Sequence, residues 1–337
     1  MQPDCTDGLS PGGGLVEASD GNFYGTTESG GTNFFGNVFK MTPAGVVTTI
    51  YSFCAQASCP DGSGPYGALV QATDGELYGT TISGGANSWG TVFKITLGGT
   101  LTTLHSFNFS DGYGPIAGLV QATDGSLYGT TSFGGVNGSG TVFKITPGGT
   151  LTTVYNFNGN DGGELTGGLV LSTDGNFYGT TQFGGPTSGT IFKLTPGGAM
   201  TTLHSFNFSD GAYPAAGLVQ GTDGNFYGTT SSGGANTDCT GSFYGPGCGT
   251  VFSLSVGLRP FVITVPTSGA VGATVSILGN DLTSATSVSF DGVSAVFEIT
   301  SRTMISATVP TGATTGFVKV SGPDYTLKSN VKFQVQP

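Results

Sequence analysis

Acidic side chains recur in this sequence at a fixed place, each followed by glycine. Asp61, Asp111, Asp161 and Asp210 are spaced about 50 residues apart, and Asp7 begins the series. A carboxylate can accept hydrogen bonds from sugar hydroxyls, bind a cation, or act in acid–base catalysis. Asp-Gly is also a turn sequence, because Asp bonds its own backbone and glycine accepts a positive φ. We therefore expect these residues to shape turns first, and to contribute to a ligand site second.

Some residues occur in only one repeat, so the repeat pattern does not explain them; examples are Tyr66, Trp89, Glu164 and Tyr213. Aromatic rings stack on the C–H faces of sugars while carboxylates accept hydroxyl hydrogen bonds, so these residues favour a glycan site. The adjoining loops carry further aromatic residues, namely Phe34, Phe35, Tyr113, Phe183, Phe243 and Tyr244. We predict that the ligand-binding residues are Asp61, Asp111, Asp161, Asp210, Tyr66, Tyr213, Trp89 and Phe133.

A glycan-cleaving enzyme is the alternative to a binding protein. Glu164 is the one distinctive acid beside the repeated Asp-Gly turns, and Asp61, Asp111 or Asp210 could complete an acid–base pair with it. Against this, repeated Asp-Gly turns give nearly equivalent carboxylates, whereas catalysis needs carboxylates in different environments. A third hypothesis, compatible with either function, is a Ca²⁺ ion held by loop carboxylates and carbonyls. No other cofactor is predicted.

The histidines and lysines follow the repeat and are predicted to be structural. His105 and His204 occupy a position where other repeats have Tyr51 and Tyr155, which indicates packing and leaves no histidine for a Ser-His-Asp triad. Four lysines recur in the predicted third strand, and we expect them to pair with a repeated carboxylate. They are Lys40, Lys94, Lys144 and Lys193.

Composition and charge restrict the class of protein. Residues 1–258 contain 4 lysines, no arginine and 16 acidic residues, so nucleic acid and anionic membranes are poor partners for this region. No apolar run reaches the length that spans a bilayer. We predict local disulfides Cys54–Cys59 and Cys239–Cys248, hence an oxidising, extracellular or cell-surface location. Cys5 is left over, and its partner could lie in a leader that is removed.

Internal repetition decides the predicted fold. The segment TDGxxYGTT, with Ser19 in place of Thr in its first copy, and the segment G-[TN]-[VI]-F each recur five times. Repeat 3, taken as the example, divides into four short strands joined by Asp-Gly and Pro-Gly-Gly turns. This pattern is typical of an all-β, five-bladed β-propeller, with a β-solenoid as the less favoured alternative. Repeat 5 lacks its fourth strand, so its blade is expected to be three-stranded and to leave a seam that could associate. The predicted repeats span about 7–60, 61–110, 111–160, 161–209 and 210–255.

The repeat resembles the GloVer tandem repeat of bacterial extracellular proteins. The segments that carry the resemblance are TDGxxYGTT, GTVFKITPGG and TTLxSF. The resemblance covers nearly all of residues 7–255 and implies a propeller without supplying catalytic residues. Residues 259–337 are similar to an IPT/TIG domain, which implies an immunoglobulin-like β-sandwich that acts as a spacer. The predicted domains are therefore 1–258 and 259–337. The predicted function is a secreted or cell-surface protein that binds glycans, or another cell-surface ligand, through the propeller loops.

Overall fold

The computed structural model describes residues 5–185, 188–236, 239 and 247–336. The described chain is all-β apart from one short 3-10 helix, as the sequence predicts. It divides into two compact units, one comprising Met1–Leu171, Gly175–Leu218 and Gly228–Phe252, the other Ser172–Asp174, Val219–Tyr227 and Ser253–Pro337. No described helix has the length and apolar character to cross a bilayer. The predicted domain boundary at residue 258 stays a prediction.

Each of the first four repeats forms one antiparallel sheet whose strands follow chain order. The TDG turn joins the first two strands, and the second and third pair closely, as in Leu77 opposite Ile95. In the described part of repeat 5 the sheet has three strands, which confirms the predicted loss of the fourth. The strands are β1 (Val16–Glu17), β2 (Phe23–Thr27), β3 (Asn37–Met41), β4 (Val47–Ser52), β5 (Val70–Gln71), β6 (Leu77–Thr81), β7 (Thr91–Ile95), β8 (Leu101–Ser106), β9 (Val120–Gln121), β10 (Leu127–Thr131), β11 (Thr141–Ile145), β12 (Leu151–Asn156), β13 (Val170–Leu171), β14 (Phe177–Thr181), β15 (Thr190–Leu194), β16 (Met200–Ser205), β17 (Val219–Gln220), β18 (Phe226–Thr229) and β19 (Val251–Leu254).

The glycine of the YGTT segment is required by close packing within each sheet. A Cβ atom at Gly79 would lie 2.6 Å from the Cζ atom of Phe93 and 2.7 Å from a methyl group of Leu69. The equivalent glycines of the other four repeats meet the same pair of residue types at similar distances. Because a close-packed interior cannot absorb an extra carbon without movement, the position admits only glycine.

Neighbouring sheets share apolar cores. One core combines Tyr24 and Val38 of the first sheet with Leu77 and Phe93 of the second. Equivalent cores join the second sheet to the third and the third to the fourth. Sheets that bury their faces against successive neighbours define a propeller-like fold, in agreement with the sequence prediction.

Buried threonine hydroxyls reinforce the contacts between sheets. Thr80 Oγ1 donates to the backbone carbonyl of Ala117 in the next repeat, at 3.1 Å. A buried hydroxyl without a partner would be costly, so the hydrogen bond to the next repeat is what makes threonine acceptable at this position of the second strand. The other three bonds of the series are Thr26 to Gly67 at 3.1 Å, Thr130 to Gly167 at 3.5 Å and Thr180 to Ala216 at 3.0 Å.

The outer faces of the first and last repeats remain exposed. Leu15 is 50% exposed, whereas its counterparts Leu69 and Leu119 are 4% and 8% exposed. Val251 is 81% exposed, whereas its counterpart Val92 is fully buried. A closed five-bladed ring would bury both faces against each other. The number of blades therefore stays a prediction.

The C-terminal region forms two sheets that enclose one core. Strands in the order β20-β22-β26-β25 make one sheet, and β21-β28-β27-β23-β24 make the other. Alternate residues of both sheets point inward, including Ile277 and Ile305 from the first sheet and Val318 and Phe333 from the second. This two-sheet packing is the predicted sandwich. Its elements are β20 (Ile263–Val265), β21 (Ser268–Ala270), β22 (Thr274–Leu278), the 3-10 helix (Leu282–Ser284), β23 (Ser287–Phe290), β24 (Val293–Ser294), β25 (Phe297–Ser301), β26 (Met304–Thr308), β27 (Gly316–Ser321) and β28 (Thr326–Gln336).

Candidate functional site

The repeated Asp-Gly carboxylates are engaged within their own loops. Where repeat 2 meets repeat 3, Asp111 accepts a hydrogen bond from the backbone N–H of Asn108 at 3.0 Å, and its Oδ2 atom lies 3.0 Å from His105 Nε2. The same arrangement recurs with tyrosine as donor, since the Tyr51 hydroxyl donates to Asp61 at 2.8 Å. The remaining two pairs are Tyr155 with Asp161 at 2.6 Å and His204 with Asp210 at 3.0 Å.

These contacts change the acidity of the groups involved. Burial alone would raise the pKa of the Asp111 carboxyl, but hydrogen bonds from His105 and the Asn108 backbone lower it below its ordinary value. Burial and the hydrogen bond to Asp161 raise the pKa of Tyr155 to about 12. Each of the four carboxylates thus links its turn to the fourth strand, which supports the turn-shaping role expected first. Their predicted second role, in ligand binding, remains a proposal.

The described acidic residues do not assemble into a metal site. No three His, Cys, Asp or Glu side chains within residues 5–185, 188–236, 239 and 247–336 stand close enough together to hold an ion. Each repeated Asp instead lies in a separate loop with its own partner. The Ca²⁺ hypothesis, which combines loop carboxylates with backbone carbonyls, stays a hypothesis.

The structure brings four aromatic rings together on loops of repeats 2 and 3, which we call the Trp89 cluster: Trp89, Phe109, Tyr113 and Phe133. The Trp89 ring centroid lies 4.7 Å from that of Tyr113 and 5.4 Å from that of Phe109. The ring centroids of Tyr113 and Phe133 are 5.9 Å apart. Trp89, Phe109 and Phe133 are between 36% and 42% exposed, so the cluster presents ring surface to solvent.

Backbone hydrogen bonds between loops hold the Trp89 cluster in place. Tyr113 and Phe133 exchange two backbone hydrogen bonds at 2.8 and 3.0 Å, and the N–H of Gly114 donates to the Trp89 carbonyl at 3.2 Å. The loop after the second strand and the loop before the next repeat thus lie side by side.

A second group of rings, which we call the Tyr213 cluster, comprises Phe183, Phe208 and Tyr213. The Tyr213 ring centroid lies 5.2 Å from that of Phe183 and 5.6 Å from that of Phe208. The N–H of Tyr213 donates to the Ser188 carbonyl at 2.8 Å, the equivalent of the Gly114 bond to Trp89. Repeats 4 and 5 therefore bring together a second group of rings, all partly exposed, in which Phe208 is the counterpart of Phe109.

Phe109 and Phe208 were not among the predicted site residues. Both lie in the NFSDG segment with positive φ, 66° and 70°, where repeat 3 has Gly159 with φ 85°. A side chain in the left-handed region costs about 1–2 kcal/mol. The sequence signal that could have identified them is a bulky residue at a position where another repeat has glycine.

Glu164 and Tyr213 also stand where other repeats have glycine. Their φ angles are 54° and 58°, and the counterparts Gly64 and Gly114 have 65° and 63°. Burial raises the pKa of the Glu164 carboxyl. Non-glycine residues held in this conformation cluster at functional sites, so both residues remain candidates. Tyr66 lies apart from both clusters, because its exposed ring covers Gly12 of the preceding repeat.

The disulfide prediction is confirmed, and the lysine prediction is confirmed for two of its four residues. Cys54 is bonded to Cys59 and Cys239 to Cys248, while Cys5 is free. The predicted aromatic residues Phe243 and Tyr244, within the second disulfide loop, lie outside the described residues. Lys40 pairs with Asp20 at 2.9 Å and Lys144 with Asp124 at 2.7 Å, so these two lysines meet the Asp of the turn between the first two strands.

The fold and loops define a class: a tandem-repeat protein with a propeller-like domain that presents aromatic clusters, together with a β-sandwich. The model of the Gloeobacter/Verrucomicrobia repeat matches residues 11–244, and that of the IPT/TIG domain matches residues 262–335. The chain therefore belongs to the Gloeobacter/Verrucomicrobia repeat family and carries an IPT/TIG domain. No curated protein sequence matches it.

Several solved structures are similar at low identity. The periplasmic gluconolactonase of Pseudomonas aeruginosa is 14% identical, with 96% of this chain and 97% of that chain covered and a TM-score of 0.41. A luciferin-regenerating enzyme is 14% identical, with 73% and 78% covered and a TM-score of 0.46. An auxiliary nutrient binding protein of Bacteroides ovatus is 15% identical, with 64% and 56% covered and a TM-score of 0.43. Similarities of this size carry no information about the ligand.

Proposed function

We propose that this chain is an extracellular binding protein that recognises glycans through the Trp89 and Tyr213 clusters. The observation that carries the proposal is the Trp89 cluster itself, four rings from three loops that pack together at the surface. Isolated exposed rings need no explanation, but a contiguous apolar patch commonly marks an interaction site. Ring faces bordered by hydroxyl and carboxylate groups suit a sugar, which has both C–H faces and hydroxyls.

The surroundings of the clusters are consistent with an uncharged, hydroxyl-rich ligand. The region before residue 259 carries 16 acidic residues and 4 lysines, so a polyanionic ligand would be repelled. Two disulfides support an oxidising, extracellular location.

Retention on polysaccharides tests the proposal. In affinity gels containing a panel of neutral polysaccharides, the protein is expected to be retarded by at least one of them. Trp89→Ala should weaken that retention by about tenfold, equivalent to about 1.4 kcal/mol. Val136→Ala is the matched control, because Val136 is highly exposed on the neighbouring loop but belongs to no ring cluster. No retention on any polysaccharide, or equal retention of both variants, would refute the proposal.

Glycan cleavage is the second candidate, and the state of Glu164 is the observation that favours it. A carboxyl whose pKa is raised by burial keeps its proton to a higher pH than a free carboxyl does, as a general acid requires. The candidate partners Asp61, Asp111 and Asp210 are each committed to a loop contact. Release of reducing ends from the same polysaccharides, lost in Glu164→Gln, would support cleavage. Retention without release would support binding alone.

A further inference from the structure

The two exposed outer faces described above are the unpaired halves of an interface that recurs within the chain. Inside the repeat array, each sheet presents a buried valine or isoleucine to the next sheet, namely Val38, Val92, Val142 and Ile191. The receiving sheet covers it with a leucine from its first strand and the phenylalanine and aliphatic residue of its third strand. The same two sets of residues are present at the ends of the array, but there they face solvent.

The last repeat carries the donating half of this interface. Val251 is 81% exposed, although its four counterparts are buried. Thr229 is exposed as well, whereas Thr26, Thr80, Thr130 and Thr180, which stand at its position, donate to the next sheet. The last repeat therefore has both the apolar residue and the hydroxyl donor of the recurring interface, but no further sheet follows to cover them.

The first repeat carries the receiving half. Leu15 is half exposed, and Phe39 and Met41 are partly exposed, while their counterparts Phe93 and Ile95 are fully buried. Gly13 stands at the position of the carbonyl acceptors Gly67, Ala117, Gly167 and Ala216. The first repeat thus has the complete residue set that receives a preceding sheet.

We propose that this chain associates head to tail with a second copy of itself, the outer face of repeat 5 packing on the outer face of repeat 1 of its neighbour. The occupant is inferred from the recurring interface, because a repeat of this chain is the surface that covers each of these faces elsewhere in the array. Such a contact is heterologous, since two different faces meet. Copies joined in this way form a closed ring or an open chain, according to the rotation between them.

Variants that block one face each provide a sharp test. Leu15→Glu places a carboxylate on the receiving face and Val251→Glu on the donating face, and both positions are exposed enough for the fold to tolerate the change. Sedimentation across a concentration series is expected to show that the unmodified protein associates. Each variant alone should self-associate at least about tenfold more weakly than the unmodified protein, because the carboxylate buried in the contact lacks a partner.

Mixing the two variants distinguishes a head-to-tail contact from other modes. Each variant keeps one intact face, and the two intact faces are complementary, so an equimolar mixture should form a 1:1 dimer that does not grow further. Val296→Glu is the matched control: Val296 is also 81% exposed but lies on the C-terminal sandwich, and this variant should associate like the unmodified protein.

Three outcomes would overturn the proposal. The first is an unmodified protein that remains monomeric at every concentration, as expected if the two faces of one chain close on each other. The second is a mixture of Leu15→Glu and Val251→Glu that stays monomeric. The third is loss of association in Val296→Glu, which would place the contact elsewhere.

Discussion

The Nε2 atom of His105 lies 3.0 Å from the Oδ2 atom of Asp111, and this contact is interchangeable with a tyrosine–aspartate hydrogen bond. One repeat earlier, the Tyr51 hydroxyl donates to Asp61 from the same position of the fourth strand. Both side chains place a polar donor at the end of a planar ring that also packs edge-on against the phenylalanine two residues later. The position therefore selects a ring with a donor at its tip.

Substitution of His105 tests this requirement. His105→Tyr should leave the free energy of unfolding within about 0.5 kcal/mol of the original value, because tyrosine fills this position in two other repeats. His105→Phe keeps the ring contact with Phe107 but leaves the Asp111 carboxylate without its side-chain donor, and should cost about 1–2 kcal/mol. Urea unfolding of both variants measures the difference. Equal stabilities would show that the contact contributes nothing.

Phe109→Gly should separate ligand binding from stability. Phe109 has φ 66°, and glycine has the equivalent position in repeat 3, so the substitution relieves an unfavourable backbone conformation. The variant is expected to unfold at about the same urea concentration as the original protein, yet to be retained less by the polysaccharide that the protein binds. Reduced retention with unchanged unfolding supports a binding role for the ring, whereas unchanged retention would exclude Phe109 from the site.

Gly79→Ala should destabilise the protein by about 1–3 kcal/mol, because its Cβ would overlap the Phe93 ring. Gly14→Ala is the control, since a Cβ at Gly14 meets no atom within 4 Å and the equivalent residue of repeat 2 is Ala68. Thermal unfolding compares the two variants. A stable Gly79→Ala protein would mean that the sheet can move to admit the methyl group.

The Asp20 carboxylate should make stability depend on acidic pH. Burial alone would raise its pKa, but hydrogen bonds from Lys40 and Tyr24 lower it to about 2, from an ordinary value of 3.8. A depressed pKa means that the ionised form stabilises the fold, so this contribution is complete above about pH 4 and is lost as the pH falls toward 2. Urea unfolding between pH 5 and 2 should show a smaller loss of stability in Asp20→Asn than in the original protein. Identical pH profiles would contradict this assignment.

The repeat and the sheets could be predicted from the sequence because they depend on local residue types. The TDG turn and the YGTT glycine recur with constant spacing, and each acts through neighbours within one repeat. The two disulfides were predictable for the same reason, since each closes a short loop. The three-stranded last sheet followed directly from the absence of a TTLHSF segment after Leu254.

The site depended on contacts between loops of different repeats, which local patterns do not contain. Trp89 and Phe133 were predicted separately, but only the tertiary structure placed Tyr113 between them and added Phe109. The same holds for the outer faces. Leu15 and Leu69 are the same residue at the same repeat position, and their exposure differs because burial is decided by whether a neighbouring sheet is present. The sequence by itself determined what each repeat can form, and the tertiary structure decided which of its surfaces are covered.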